Sequence, residues 1–332
     1  MASDLQAEIE TRAGLGFRPA TVADARLYAN LTLAHRPDEP ADPLVAAYRW
    51  STPSPGFSRE RFVVERAGQA VGYAWHIEAS ADKDPERHGK VEAFLVPEAM
   101  SAERLRAVYD FLEERAAEHG VRIFNATIFE DVEEEAEVLL ESGYRDDHRA
   151  KAWELDLVEN RERLLLMASR AEMVMREQGI ECHAVAEDRD PDPWPRVYEA
   201  HVEAMLDMPH TEPIHAPDFG EYLRWLASPD TDPRWFFIAK EGERVVGLSV
   251  LVFPPVQGNV WTGFTGVVRS HRRRGIARAV KAAILRRAVE TGVERVRTDN
   301  DTTNAPMLHI NEDLGYHRLP GFRGLRKLAA QL

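Results

Sequence analysis

The sequence has a single cysteine and no long apolar run. Among 332 residues only Cys182 carries a thiol, so no internal disulfide can form. Cys182 lies in residues 180–185, whose pattern predicts a strand, and we expect it to fill core space rather than act as a nucleophile. No apolar stretch approaches the roughly 20 residues that a membrane span needs. These absences exclude a disulfide-stapled protein and predict no membrane partner.

The start of the sequence also lacks the pattern of an export signal. The first ten residues are acidic and have no basic segment followed by an apolar one. We therefore expect a cytoplasmic protein. Hydrophobic residues make up 44% and charged residues 30% of the chain, which is typical of folded proteins. The length suits two domains of about 150 residues each.

Positive charge is in the minority, with 42 Lys and Arg against 56 Asp and Glu and a net charge of −14. Most of the surface would repel nucleic acid, so we expect no such partner. Residues 269–281 nevertheless concentrate arginines around Gly275, between a predicted buried strand at residues 260–268 and a helical pattern that begins at Ile276. Unpaired N–H groups and the macrodipole at a helix start favour a diphosphate. A solvated basic face is the alternative.

Glycines and their neighbours recur at one offset along the chain. Gly120 and Gly143 are 23 residues apart, and so are Gly292 and Gly315, with an offset of 172 residues between the pairs. Each copy reads as strands and helices in the same order, which predicts two mixed α/β halves. Chance similarity is the alternative interpretation.

The repeat predicts that the two halves differ in function. At the 172-residue offset, residues 272–277 map onto residues 100–105, which have no glycine and no basic run. A phosphorylated cofactor is therefore expected only in the second half. Residues 160–178 have helical spacing and end at Gly179, as a connecting helix would. We expect a degenerate first domain over residues 1–158, a connecting helix over 159–179 and a cofactor-binding domain over 180–332.

Two segments carry a resemblance to a known family. The first is the run Arg272-Arg273-Arg274-Gly275-Ile276-Ala277, and the second is residues 304–316, which end in Leu314-Gly315-Tyr316. The second half resembles the GNAT superfamily of acyl-CoA-dependent N-acetyltransferases, and residues 17–326 resemble its two-copy members, such as the mycothiol synthases. The resemblance implies an α/β (α+β) fold of two GNAT-like domains, each a twisted mixed β-sheet flanked by helices. It also implies acetyl-CoA as co-substrate and no metal.

The resemblance assigns roles to residues at the hinge, which is the junction at residues 269–277 between the predicted strand and the predicted helix. Main-chain amides of residues 273–277 would hold the CoA diphosphate, with charge-assisted contacts from the arginines. Val267 and Val268 would pair with the pantetheine arm through their main chain. The N–H of one of them, which we assign to Val267, would stabilise the thioester oxygen.

The helix predicted to follow Asn304 carries three further expectations. Asn304 would cap this helix and, as in many relatives, contact CoA. Met307 would lie near CoA, although it shares a face with Ile310 and Leu314 and core packing is favoured for all three. Many relatives carry a tyrosine here that protonates the departing thiolate, but this sequence has Asn311. The general acid therefore stays unassigned.

Acidic and histidine residues crowd the segment that walls the acceptor pocket in the family. General-base candidates are Glu203 and Asp207, and a solvated acidic loop is the alternative. The segment contains His201, Glu203, Asp207, His210, Glu212, His215, Asp218 and Glu221. Because His210 and His215 match no common ligand spacing, we expect no metal.

These features predict an enzyme whose second half transfers an acetyl group to a primary amine of a small molecule by direct attack in a ternary complex. One alternative is a CoA-binding sensor or scaffold without turnover, suggested by the degenerate copy and by Asn311. Another is an acetyltransferase that modifies a protein lysine or N-terminus. The sequence leaves a monomer and a homodimer equally open.

Overall fold

The computed structural model describes residues 13–208 and 214–329, and the account below concerns these residues. They contain nine α-helices, several of which begin at a capping side chain such as Asp42 or Asp218. The helices are α1 (Ala25–His35), α2 (Pro43–Ser51), α3 (Ala102–Glu118), α4 (Glu133–Glu141), α5 (Arg161–Glu177), α6 (Trp194–Met205), α7 (Phe219–Leu226), α8 (Ile276–Glu290) and α9 (Ala305–Leu314).

Twelve strands form one continuous mixed sheet in the order β1-β2-β3-β4-β5-β12-β6-β11-β10-β9-β8-β7. The strands are β1 (Gly16–Pro19), β2 (Phe57–Arg66), β3 (Gln69–Ala79), β4 (His88–Leu95), β5 (Ile123–Phe129), β6 (Arg145–Asp156), β7 (Ile180–Ala184), β8 (Phe236–Glu241), β9 (Arg244–Val252), β10 (Trp261–Val267), β11 (Arg295–Asp301) and β12 (His317–Leu328).

The order of elements repeats once. Each half runs strand, two helices, three antiparallel strands, helix, strand, helix, strand. The third and fourth strands of the first half, β3 and β4, are antiparallel, whereas β4 and β5 are parallel, and the second half repeats both relations. The predicted α/β class and the duplicated mixed architecture are confirmed.

The last strand of each half completes the sheet of the other half. Strand β6 pairs antiparallel with β11 from Asp156↔Arg295 to Ala150↔Asp301. Strand β12 lies between β5 and β6 and pairs with both. The division at residues 158 and 179 stays a prediction, and within the sheet the two halves are interleaved at their final strands.

The predicted connecting helix is α5, which packs on the second half. Its Glu172 forms an ion pair with Arg286 of α8 at 2.8 Å, and its Leu164 and Met175 are buried in core clusters of that half. Helix α8 buries Val280, Ile284 and other apolar side chains along most of its length. These contacts hold α8, and with it the start of this helix, in a fixed position against α5 and the core.

No helix within residues 13–208 and 214–329 is long and apolar enough to cross a membrane. Cys182 on β7 packs against the core, and burial raises the pKa of its thiol to about 12. A thiol with so high a pKa carries almost no thiolate at neutral pH, which fits a packing role.

Candidate functional site

Strands β10 and β11 separate almost as soon as they meet. Trp261 and Arg297 form their one register pair, and the remainder of β10 pairs with β9 alone. The N–H of Val268 donates to the carbonyl of Val246 at 3.1 Å. Because N–H groups alternate in direction along a strand, the N–H of Val267 points into the gap on the side of β11. The gap therefore exposes a main-chain edge.

The chain then turns into α8 through a hinge with unusual backbone angles. A short 3₁₀ turn, Arg269–His271, follows β10, and both Arg273 (φ 63°) and Gly275 (φ 83°) adopt left-handed conformations. Glycine suits the second position because a side chain there would be strained. The main-chain N–H groups of residues 273–277 donate to no other described residue. Such a run of free amides at a helix start favours an anion.

A cavity of about 900 Å³ connects the gap, the hinge and helices α5 and α9. This volume is in the range of small-molecule and cofactor sites. Its walls are formed by Met167, Arg170, Ala171, Val174, Met175, Ala204, Asp207, Met208, Gly266, Val267, His271, Arg272, Arg273, Gly275, Ile276, Ala277, Arg278, Thr303, Asn304, Pro306, Met307 and Ile310. The mixture of apolar side chains with free amides and cations suits a long ligand with a charged end.

Four arginines give the cavity its positive charge. Arg272 donates to Asp207 at 2.6 Å and to the carbonyl of Val267 at 3.1 Å, and Arg278 pairs with Asp313. Within the described ranges, Arg273 and Arg170 have no carboxylate partner. Unpaired guanidinium groups beside free amides favour a phosphate-bearing ligand.

Sequence reasoning missed Arg170. It lies on α5, about a hundred residues before the hinge, and reaches the cavity because α5 packs against α8. The spacing of Met167, Arg170, Ala171 and Val174 places them on one helical face. That spacing is visible in the sequence, but the neighbour that this face meets is not.

Most of the predicted CoA-binding residues meet at this cavity. Val267, Arg272, Arg273, Gly275, Ile276, Ala277, Asn304 and Met307 all line it. Ile310 also lines it, whereas Leu314 is fully buried in the core. The predicted strand before the hinge is only half-buried along most of its length, because one edge faces the gap.

Three expectations about these residues need correction. Val268 is 2% exposed and its N–H is already paired with Val246, so it has no donor for a pantetheine arm. The side chain of Arg274 points away from the cavity and bonds Gln178 and Glu241, each at 3.1 Å. Asn304 makes no side-chain capping bond to α9, which leaves its amide free at the cavity wall.

Asp207 lies at the cavity, where arginines hold its carboxylate. Arg269 Nε and Arg272 donate to Oδ2, each at 2.6 Å. Hydrogen bonds from Arg269 and then Arg272 lower the pKa of Asp207 to about 2. So weak a base accepts a proton from an ammonium ion poorly. The role of general base stays a prediction for Asp207, and the geometry favours a positioning role.

Glu203 acts on the same hinge from another side. Its Oε1 accepts the main-chain N–H of Arg269 at 2.7 Å, and its side chain lines a separate cavity of about 370 Å³.

His201 is buried, stacks on Phe264 of β10 at 4.1 Å between centroids, and has no partner for Nδ1 among the described residues. Burial lowers the pKa of His201 to about 4, so its ring is neutral at physiological pH.

The other residues of the acidic segment either do not line the cavity beside the hinge or fall outside the described structure. His210 and Glu212 fall in residues 209–213, which the structure does not describe. The ring of His215 contacts Phe57 of β2 edge-on at 5.8 Å. Within the described part of the chain, no group of three or more His, Cys, Asp or Glu side chains is arranged to hold a metal ion.

Asn311 is fully buried and held by two side chains. Its Oδ1 accepts from Lys281 Nζ at 2.6 Å, and its Nδ2 donates to Asn300 Oδ1 at 2.7 Å. Burial lowers the pKa of Lys281 to about 7. Tyr316 is also buried, as expected of a core aromatic. The position at which many relatives place a tyrosine is therefore part of the core here.

Comparison with known proteins agrees with this geometry. Residues 194–316 match the family model described as acetyltransferase (GNAT) family, so the second half contains a GNAT acetyltransferase domain. No functionally curated protein matches the chain in sequence. Acetyl transfer from acetyl-CoA is the general chemistry that this family supports.

Solved structures show that the whole chain has a tandem GNAT fold. A tandem GNAT protein from the clavulanic acid biosynthesis pathway is 17% identical, with a TM-score of 0.72 over 96% of this chain and 99% of the other. A GCN5-related N-acetyltransferase from Sphaerobacter thermophilus is 20% identical, with a TM-score of 0.66 over 95% of each chain. The predicted pair of GNAT-like domains is confirmed.

Proposed function

We propose that the protein transfers an acetyl group from acetyl-CoA to a primary amine of a small molecule, by direct attack in a ternary complex. The observation that carries this proposal is one cavity in which the free amides of residues 273–277 and the free edge of β10 meet. A diphosphate suits the amides, and an amide-containing arm suits the strand edge. Acetyl-CoA joins both groups in one molecule and supplies the acetyl group as an activated thioester.

Residues of the second half and of the connecting helix α5 would bind the donor and assist the chemical steps. Arg273 and Arg170 would contact the charged end of the donor, and the N–H of Val267 would donate to the thioester oxygen as negative charge develops there. Asp207 would hold Arg269 and Arg272 in place. The amine nitrogen would bond to the acetyl carbon as the C–S bond breaks, and CoA would leave as a thiolate that takes a proton from water. The amine proton would leave through water, with Glu203 as the remaining carboxylate candidate.

We further propose that the second half alone binds the donor and that residues 1–158 act as a structural and acceptor-shaping domain. A small cationic amine suits the negative chain and its acidic segment between α6 and α7. The first half lacks the glycine and the free helix start on which the donor site depends.

A pair of glycine variants tests the donor site in the intact chain. Gly275→Glu adds a carboxylate and backbone strain at the hinge, whereas Gly292→Glu adds the same at an exposed glycine with a similar φ (82°) beyond the other end of α8. We expect acetyl-CoA affinity, measured by calorimetry, to fall about a hundredfold in the first variant and to stay unchanged in the second. Equal affinities in both variants would refute the proposal.

Thiol release separates the enzyme from its alternatives. A panel of small amines and lysine-containing peptides is incubated with acetyl-CoA and the full chain, and free CoA is measured. Turnover with small amines supports the proposal. Turnover with peptides alone favours a protein acetyltransferase, and binding without any thiol release favours a sensor.

A further inference from the structure

A second cavity, of about 440 Å³, lies between the two halves. Residues of α2, β2 and β3 form one side, and residues of α7 and the turn after it form the other. It shares no lining residue with the donor cavity. Its volume is in the range of sites that hold small metabolites.

This cavity has an uncompensated positive charge. Four arginines line it, together with one carboxylate, that of Glu221. Glu221 is engaged by the main-chain N–H of Asp218 at 2.8 Å in the cap of α7. Arg49 is neutralised by Asp230 at 2.9 Å.

The other three arginines, Arg59, Arg61 and Arg224, have no carboxylate partner in the part of the chain that the structure describes. The guanidinium of Arg61 lies 5.2 Å from the ring centroid of Trp50, and that of Arg59 lies 5.6 Å from that of Trp75. Arg59 keeps an exposed face, and partial desolvation, followed by the charge of Arg61, lowers its pKa. The side chain stays charged at neutral pH, in surroundings that an anion would make more favourable.

Aromatic side chains complete the walls of the cavity. Trp50, Phe57 and Trp225 line it, so a ligand there can place an apolar or ring-shaped part against them. Trp225 also packs against His201, at 5.6 Å between centroids, and His201 stacks on Phe264 of β10. Ring contacts therefore run in series from this cavity, through Trp225 and His201, to Phe264 on the strand that carries Val267.

We propose that this cavity is a binding site for a small organic anion, a carboxylate or a phosphate monoester, held by Arg59, Arg61 and Arg224. Planar guanidinium groups form paired hydrogen bonds with both kinds of anion. Because the arginines come from both halves, the anion bridges the halves across their interface. The assignment does not depend on acetyl transfer.

Titration of the full chain with three probes tests the site. Phenyl phosphate and benzoate each carry a ring and an anionic group, and inorganic phosphate supplies the anionic group alone. Titrations follow tryptophan fluorescence and heat of binding, with and without saturating acetyl-CoA. We expect saturable binding of at least one ring-bearing probe in both conditions. The stronger of the two probes identifies the phosphate or the carboxylate as the preferred anion.

Variants locate the bound probe. Arg59→Gln and Arg224→Gln each remove one charge from the cavity, whereas Arg26→Gln removes an exposed charge on α1 outside it. We expect about tenfold weaker binding in the first two and no change in the third. Arg59→Lys keeps the positive charge but loses the planar guanidinium group. We expect this variant to bind the probe more weakly than the original chain.

Two results overturn the proposal. One is the absence of saturable binding by any of the three probes at millimolar concentration. The other is binding that acetyl-CoA displaces and that neither Arg59→Gln nor Arg224→Gln weakens, since the probe would then occupy the donor cavity. Melting curves of the variants establish that each is folded.

Discussion

The two halves share one topology but differ in what their main chain is free to bind. In the first half, the Ser101 hydroxyl accepts the N–H of Arg104 at 3.3 Å, and the Arg104 guanidinium donates to the carbonyl of Ala99 at 3.0 Å. The ring of His35 donates to the carbonyl of Leu95 at the end of β4, also at 3.0 Å. Side chains of the first half thus occupy part of the junction that corresponds to the hinge.

The second half leaves the corresponding helix start open, although the carbonyl of Val267 accepts from Arg272 at 3.1 Å. Gly275 begins α8 without any side-chain cap, and the amides of residues 273–277 have no partner among the described residues. A helix start has unsatisfied donors in either case, so a side chain or a ligand must pair with them. The comparison teaches that two halves with one topology can differ at this helix start, through a capping serine in one and a glycine in the other.

Removing β12 tests how far the halves are separate, and it has the largest expected effect. Strand β5 of the first half pairs with β12 along its whole length but with β4 at only three positions. A chain that ends after Tyr316 should therefore exchange the amide hydrogens of β5 at least about a hundredfold faster. A chain that ends after Ala329 is the control, and hydrogen exchange with mass spectrometry is the measurement. Undiminished protection of β5 in the shorter chain would contradict the strand exchange.

Asp207→Asn tests whether the second half uses this carboxylate as a base or as an anchor for its arginines. Because the pKa of Asp207 is lowered to about 2, its titration lies below the working pH range. We expect KM for acetyl-CoA to rise about fivefold, kcat to change less than about threefold, and the acidic limb of the pH profile to stay in place. A loss of kcat of two orders of magnitude would instead identify Asp207 as the base.

Arg170→Ala tests the contribution of the connecting helix to the donor site. We expect KM for acetyl-CoA to rise about threefold, and less at high salt, because an exposed guanidinium is screened. Arg176→Ala is the matched control, since Arg176 lies on the same helix, pairs with Glu172 and does not line the cavity. An equal effect of both variants would show that α5 contributes only general charge.

Lys281→Met tests a buried difference between the halves, since the corresponding residue of the first half at the 172-residue offset is Tyr109. Burial lowers the pKa of Lys281 from 10.5 to about 7, so the unfolded chain binds more protons than the folded one between these values. The free energy of unfolding should therefore rise with pH across this window, by about 1–2 kcal/mol between pH 7 and pH 9. Urea unfolding should show no such rise in the variant, and a rise of the same size would exclude Lys281 as its source.

Several features were predictable because they depend on residues close together in sequence. The hinge was predictable because Gly275 follows three arginines and precedes a helical pattern, and the duplication because Gly120 and Gly292 recur at a constant offset. The strand before the hinge was also predicted, but the choice between Val267 and Val268 was not. It depends on the register between β9 and β10, which pairs Val268 with Val246.

The positions of Arg170 and Asp207 were decided by contacts between distant segments. Arg170 reaches the cavity only because α5 docks on α8, and Asp207 meets Arg269, 62 residues further along the chain, when the α6 end packs beside the hinge. A sequence pattern shows which residues share a face of a helix, but it does not show which other element covers that face.

By itself the sequence determined the fold class, the repeated order of strands and helices, and the place at which arginines meet a helix start, because periodicity, capping and glycine angles are local properties. Only the tertiary structure decided which half receives which final strand, which amides stay free, and how Asp207 loses its basicity. Strand pairing and charge pairing depend on distances through space between segments far apart in the chain. The cavity between the halves belongs to the same class, since Arg59 and Arg224 come together only after both halves have folded.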